Sequence, residues 1–241
     1  MNLLYSEWIK LLSTRTTWVM IGVGLLCEGL FAGLLTGLAS FGDIGKVTEL
    51  ITGLGLLMTL MLVLGVLIIT TEFRHGTTGS TFLVSPRRWP VMLAKLGAGM
   101  AVGVLAGLLF VLVNGGLALP IYSGRGGTLP PTGDIVEVYA GVVASFALLA
   151  AFGLGIGAIV RNQVGAIIAA IAVFFVVSGL PELLPGTIGE YFPAQAVGTL
   201  HGRVEGDGTL TQVGAGIILA AWSLALVAIG TVLTVVRDLS E

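Results

Sequence analysis

The residues best suited to bind a partner lie in one segment, Glu72–Lys95, with the sequence EFRHGTTGSTFLVSPRRWPVMLAK. It is the longest strongly cationic polar segment and lies between two long apolar runs; its basic or titratable side chains are Arg74, His75, Arg87, Arg88 and Lys95. Gly76 allows a turn, and Thr77 or Thr78 could cap a short helix by accepting backbone N–H bonds. An apolar patch, TFLV at 81–84, follows. This pattern predicts a short docking helix held by charged anchors, and a solvated basic loop is the simpler alternative.

Motifs for ATP hydrolysis or metal catalysis are missing from the sequence. A P-loop needs GxxxxGK followed by Ser or Thr, but the one Gly-Lys pair, Gly45-Lys46, has Ser40 at the first glycine position. The two histidines, His75 and His201, are isolated and are interpreted as polar loop residues rather than metal ligands. We therefore predict that this chain is not an enzyme and has no catalytic residue, no metal site and no cofactor of its own.

Two neighbouring residues stand out within the first apolar run. Cys27 is the one cysteine, which excludes an intrachain disulfide, and it is interpreted as a small buried apolar residue. Glu28 is an ionisable residue near the middle of the run, and a carboxylate at membrane depth is a functional hypothesis by default. We predict that Glu28 either lines a translocation path or is satisfied within the bundle by a neighbouring helix.

The composition indicates that lipid, rather than water, surrounds most of the chain. Of 241 residues, 56% are hydrophobic and only 10% are charged, against about 25% charged in a typical soluble domain. Too few charges are present to build a surface that faces water. The net charge of −2 argues against a nucleic-acid partner.

Six continuous apolar stretches predict membrane-spanning helices. Each is near the roughly 20 residues that cross about 30 Å of hydrocarbon. They lie at Thr17–Ala39, Leu50–Thr71, Leu96–Leu119, Tyr139–Val160, Val164–Leu184 and Val213–Val236. A β-barrel is excluded because the stretches are continuous rather than alternating. The fold class is therefore an all-α membrane protein in which residues 1–241 form a single transmembrane domain.

Two flanking regions have a different character. Residues 1–16 form an amphipathic pattern, with Leu4, Tyr5 and Trp8 on one face and Glu7 on the opposite face, which predicts a helix lying in the membrane interface. The region 181–212 is divided by prolines into short, partly apolar pieces. We predict that it forms a re-entrant helical hairpin on the outer side, and an ordinary extracellular loop is the alternative.

The distribution of basic residues predicts the orientation. With the N-terminus inside, the inner segments hold eight of the eleven Lys and Arg residues: Lys10, Arg15, Arg74, Arg87, Arg88, Lys95, Arg161 and Arg237. The outer loops hold the other three, Lys46, Arg125 and Arg203. Both termini are therefore predicted to be cytoplasmic in a multi-pass protein of the cell membrane. The predicted interface anchors are Trp8, Lys10, Arg15, Arg87, Arg88 and Trp89.

Several patches also resemble a known family. EFRHGTTGSTFLVSPRRWPVMLAK is similar to the cytoplasmic loop of ABC-2 type (type V) ABC transporter permeases, and EWIKLLSTRTTW resembles their interfacial connecting helix. The order of six spans and the proline-broken YFPAQAV region also resemble that family. The resemblance covers most of the chain, although its specific motifs are confined to these patches.

The resemblance implies the membrane subunit of an ATP-driven exporter. Such a subunit pairs with a second copy of itself or a homologous permease and docks separate ATP-binding subunits, which hold the ATP and Mg²⁺. By this likeness Gly76–Ser85 is the coupling helix. The residues expected to dock the ATPase are Glu72, Phe73, Arg74, His75, Gly76, Thr77, Thr78, Thr81, Phe82 and Leu83. Cargo would leave by a path between two permease copies, lined by the first, second and fifth spans.

Two other classes of protein fit the same composition. One is a channel or carrier that needs no ATPase, and the other is a non-transporting membrane anchor that binds a cytosolic protein through the same loop. A single intramembrane carboxylate and the lack of an inverted repeat give little support to ion-coupled transport. An adjacent ATP-binding cassette protein, or its co-purification, would favour the permease.

Overall fold

All regular elements in the described part of the chain are helices. The structure is a computed structural model, and it describes residues 3–38, 53, 55–76, 88–176, 186–202 and 210–236. The α-helices are α1 (Leu3–Ser13), α2 (Arg15–Leu38), α3 (Leu56–His75), α4 (Arg88–Gly124), α5 (Thr132–Val160), α6 (Gln163–Ile171), α7 (Pro193–Leu200) and α8 (Gln212–Val236). A π-helical turn, Ala172–Val176, continues α6, and a 3₁₀ helix, Gly186–Tyr191, precedes α7.

Five of these helices, α2, α3, α4, α5 and α8, are long and apolar enough to cross a membrane. The coarse fold prediction is thus confirmed: the described chain is all-helical, with helices of membrane-spanning length and composition. The predicted fifth span corresponds to the shorter apolar stretch Gln163–Val176. Its remainder, 177–184, lies outside the described residues. That this fifth stretch also crosses the membrane, which would give six spans in total, stays a prediction.

The helix ends differ from the apolar stretches in ways that local backbone and charge explain. Helix α3, which corresponds to the second predicted span, begins at Leu56 rather than at Leu50. Gly53 and Gly55 have left-handed backbone angles (φ 67° and 75°), which an α-helix excludes. Helix α4, which corresponds to the third predicted span, begins at Arg88 rather than at Leu96. The charge of Lys95 ended the apolar stretch in the sequence, but in the structure this charge is paired inside the bundle and the helix includes it. Hydropathy alone therefore underestimated the length of α4.

Helix α5 is the centre of the bundle, and more than half of its residues are buried. It packs against α3, α4 and α8. The approach of α3 and α5 is close enough that a Cβ on Gly65 would overlap the carbonyl oxygen of Ala150, and one on Gly153 would overlap that of Leu62. Small residues permit such backbone contact between apolar helices.

The predicted re-entrant region is described for 186–202 and 210–212 only. Helix α7 is held by polar contacts to the spans: Ser145 Oγ and His201 Nε2 are 2.9 Å apart, and Gln212 Nε2 donates to the carbonyl of Leu200 at 2.5 Å. His201 lies in the turn that ends α7, as predicted for a polar loop residue, and it is only 6% exposed there. Whether this region dips into the outer leaflet stays a prediction.

Candidate functional site: a buried charge cluster at one end of the bundle

Four ionisable side chains from three helices meet at the end of the bundle where α3 ends and α4 begins. Glu7 and Lys10 come from α1, Glu72 from α3 and Lys95 from α4; we call this group the charge quartet. Lys95 Nζ lies 2.8 Å from Glu7 Oε2 and 2.6 Å from Glu72 Oε1. Lys10 Nζ also donates to Glu72 Oε1 and lies 3.6 Å from Glu7 Oε1. The quartet therefore joins residues that are 88 positions apart.

The quartet is largely removed from solvent and electrically balanced. Lys95, Glu72 and Glu7 are 2%, 4% and 7% exposed, whereas the Lys10 side chain is 49% exposed. Two acids and two lysines cancel in charge, and each buried charge has an opposite partner at hydrogen-bond distance. Buried ions are tolerated when they are paired in this way, and removal of one partner leaves the other uncompensated.

The titration of Lys10 follows from this arrangement. Burial disfavours the charged ammonium, but the hydrogen bond to Glu72 and the negative charges of Glu72 and Glu7 outweigh that effect. The pKa of Lys10 is therefore raised above its ordinary value. Lys10 remains an ammonium ion at neutral pH and holds α1 against the end of α3.

The amphipathic helix α1 is oriented by the quartet. The sequence predicts two faces, and the structure places the polar residue Glu7 towards the bundle. The apolar side chains Leu4, Tyr5 and Ile9 are instead 52%, 58% and 45% exposed. These exposed side chains suit contact with lipid. The predicted interfacial character of α1 is thus compatible with the structure, and α1 is attached both by these ion pairs and by the apolar side chains Leu11 and Trp8, which pack on the core.

Half of the quartet was missed as a functional group at the sequence level. Glu72 was predicted to dock a partner and Lys10 to anchor the interface, whereas Glu7 was only placed on a polar face and Lys95 was only counted in the basic segment. The available signal was the i, i+3 spacing of Glu7 and Lys10 together with opposite charges at the predicted inner ends of two spans. Sequence spacing alone does not pair them.

The predicted docking residues Glu72 to His75 form the last turn of α3, and contacts within α3 and with neighbouring elements hold them. The Phe73 ring has the guanidinium carbon of Arg161 at 5.5 Å from its centroid. Arg74 Nη1 donates to Gln163 Oε1 at 3.1 Å, and His75 Nδ1 donates to the carbonyl of Thr71 at 2.7 Å. Gly76, with φ 66°, ends the helix. Of the remaining docking residues, Thr77, Thr78, Thr81, Phe82 and Leu83 lie outside the described residues.

The predicted interface anchors do not come together as one group. Trp8 is partly buried, and it lines an apolar cavity of about 260 Å³ between α1 and α4. Arg15 is exposed at the start of α2, and Trp89 is 55% exposed at the start of α4. Arg88 is the first residue of α4, while Arg87 lies outside the described residues.

Glu28 lies in a second polar site, away from the quartet. Its side chain is 1% exposed. Glu28 Oε1 accepts from the backbone N–H groups of Leu56 and Leu57 at 3.0 and 3.4 Å. The carboxylate thus bonds donors that α3 cannot satisfy within its own first turn, and its charge complements the positive end of the helix dipole. These contacts support the alternative that Glu28 is satisfied within the bundle, and a role in a translocation path stays a prediction.

Removing this carboxylate is expected to destabilise the bundle. Glu28→Ala leaves the N–H groups of Leu56 and Leu57 without their acceptor, so the free energy of unfolding should fall by about 1–3 kcal/mol. Glu28→Gln retains an acceptor oxygen and should lose less. Unfolding of the purified chain in mixed detergent micelles measures both variants. Equal losses in the two variants would contradict the assigned hydrogen bonds.

A metal site is not apparent in the described ranges, where no three His, Cys, Asp or Glu side chains are grouped to hold an ion. A scan against models of known protein families finds no match for the chain, and a search of curated proteins finds none either. The fold and site therefore define a class only: a protein whose described part is helical, with five apolar helices of membrane-spanning length and a buried charge quartet at one end.

Proposed function

We propose that this chain is the membrane subunit of an ATP-driven exporter of the ABC-2 type, moved by a separate ATP-binding subunit that docks on the segment between α3 and α4. The observation that supports it most directly is the ion pair between Glu72 and Lys95. These residues flank the segment, Glu72 in the last turn of α3 and Lys95 in the first part of α4, with Lys95 Nζ 2.6 Å from Glu72 Oε1. A force applied to the segment would therefore reach both helices together, and through Glu7 it would reach α1.

Contacts beyond the quartet extend this connection. Phe73 and Arg74, in the last turn of α3, contact Arg161 and Gln163 at the junction of α5 and α6. Movement of the docking segment would thus reach the central helix α5 as well. For ATP to drive transport, the partner must interact differently with the chain in its ATP-bound and nucleotide-free forms. Because these contacts fix the end of α3 to its neighbours, a change in how the partner binds the docking segment would be transmitted to the rest of the bundle.

The position of the helix ends is compatible with two cytoplasmic termini. Arg161 Nη2 donates to the carbonyl of Leu233, near the end of α8, at 3.3 Å. The end of α8 therefore lies near the junction of α5 and α6, at the same end of the bundle as α1 and the quartet. We assign this end to the cytoplasm on the basis of its basic residues.

Assembly with a second copy is part of the proposal. Helix α2 exposes large apolar side chains along its length, including Val19, Val23, Leu26 and Leu30 at 49–63% exposure. In a bilayer such a face contacts lipid or another apolar helix. We assign it in part to a second permease copy, with the cargo path between the copies lined by α2, α3 and α6.

A double substitution in the docking segment tests the proposal. Phe82→Asp/Leu83→Asp should abolish stimulation of ATP hydrolysis by the co-purified ATP-binding subunit, since two charges replace the apolar patch. The matched control is Leu129→Asp, because Leu129 is 40% exposed in the connection between α4 and α5. ATPase rates in liposomes containing both subunits measure the effect.

Three results would contradict the exporter. The first is unchanged stimulation by the double variant when it inserts normally, and the second is equal loss in the Leu129 control. The third is cargo movement at full rate by the purified chain in liposomes without nucleotide or a second subunit, which would favour a channel or carrier.

A further inference from the structure

A cavity of about 270 Å³ opens beside the quartet, and the roles assigned so far to the residues around it do not include a ligand bound within it. It lies between α1, the start of α2, the inner half of α3 and the start of α6. One wall is apolar and is formed by Leu11, Leu64, Leu67 and Ile68, while Lys10 and Arg74 line the cavity near its charged end.

The cavity has a surplus of positive charge. Glu7 and Lys10 both line it, but their charges belong to the quartet, in which two acids and two lysines cancel. Arg74 adds a positive charge that the quartet does not balance. Among the described residues, its bond from Nη1 to Gln163 uses one of the five guanidinium N–H donors of Arg74. A guanidinium with donors to spare beside a half-exposed ammonium favours an anion with several acceptor oxygens.

The cavity is charged at one end and apolar deeper in the bundle, in the same order as the headgroup and acyl chain of a lipid molecule. Arg74 is in the last turn of α3, and Leu67 lies seven residues earlier, about 10 Å further into the bundle at 1.5 Å per residue. Leu64 lies nearly one turn deeper again. Because α1 exposes apolar side chains at this same level, the charged end of the cavity lies at headgroup depth and the leucines face the acyl region.

We propose that this cavity binds an anionic amphiphile, with a phosphate ester held by Arg74 and Lys10 and the first part of its acyl chain along Leu64, Leu67 and Ile68. Basic pockets between membrane helices on the cytoplasmic side are suited to such headgroups. A neutral zwitterionic headgroup would bring its own cation towards Arg74 and bind less well. The proposed site does not require an ATPase partner, so it can be tested independently of the exporter proposal.

Lipid binding to the purified full-length chain tests the proposal. Native mass spectrometry from detergent micelles should show tighter binding of phosphatidylglycerol than of phosphatidylcholine with the same acyl chains. Arg74→Gln should weaken phosphatidylglycerol binding roughly fivefold, which is the effect of removing about one headgroup-contacting charge. Phosphatidylcholine binding should be unchanged in this variant.

Two matched variants separate the site from general effects. Arg15→Gln removes an exposed cation near the same end of the bundle that does not line the cavity, and it should retain the preference for phosphatidylglycerol. Gln163→Ala removes the hydrogen bond to Arg74 but keeps its charge, so it should also retain binding. Equal binding of the two lipids, or equal losses in the Arg74 and Arg15 variants, would overturn the proposal. Water-soluble glycerol phosphate that competes as well as the lipid would overturn the assignment of the acyl chain.

Discussion

Lys95→Met is expected to lower the free energy of unfolding by about 3–5 kcal/mol, since it leaves two buried carboxylates with too little positive charge. Lys95 Nζ is the shared donor to Glu7 and Glu72, at 2.8 and 2.6 Å. Without it, the one cation left near Glu7 in the described part of the chain is the ammonium of Lys10, at 3.6 Å. Methionine is similar in length and apolar, so the loss reports charge pairing rather than volume. Unfolding in mixed detergent micelles, monitored by circular dichroism, measures the change.

Two comparisons distinguish this effect from a general loss of packing. Lys10→Met should cost clearly less, because the Lys10 side chain is 49% exposed and Lys95 still pairs both carboxylates. Glu7→Met/Lys95→Met removes one acid with one base and leaves the pair of Glu72 and Lys10, so it should be more stable than Lys95→Met alone. Replacement of a buried ion pair by apolar side chains is often neutral or stabilising. A double variant less stable than the single one would contradict the assigned pairing.

The broad architecture could be predicted because hydropathy is a local property of the chain. Runs of about 20 apolar residues identify membrane helices without knowledge of their neighbours, and five of the six predicted spans correspond to helices of sufficient length. The start of α3 could also have been refined from the sequence, since Gly53 and Gly55 directly precede it. Five of the ten predicted docking residues, Glu72 to Gly76, lie together in and just after the last turn of α3.

The partners of the charged residues could not be predicted because they depend on tertiary contacts. Glu7 and Lys95 are far apart in the chain, and nothing in either local sequence indicates the other. A helical wheel separates the two faces of α1, but it does not say which face contacts protein when lipid can cover the apolar one. Likewise, Glu28 was open to two interpretations until the start of α3 was placed against it.

The second large expected effect on stability is at the crossing of α3 and α5, where adding a single methyl group is expected to destabilise the bundle. A Cβ on Gly153 would overlap the carbonyl oxygen of Leu62, and the nearest atoms are backbone atoms that cannot rotate away. Gly153→Ala should therefore force the helices apart and lower the free energy of unfolding by about 1–3 kcal/mol or more. Gly116→Ala in α4 is the matched control, because a Cβ there meets no atom within 4 Å. Alanine favours a helix over glycine by about 1 kcal/mol, so the control should be neutral or more stable. Opposite signs for the same substitution in two apolar helices would establish that backbone contact holds α3 against α5, whereas losses of equal size in both variants would contradict it.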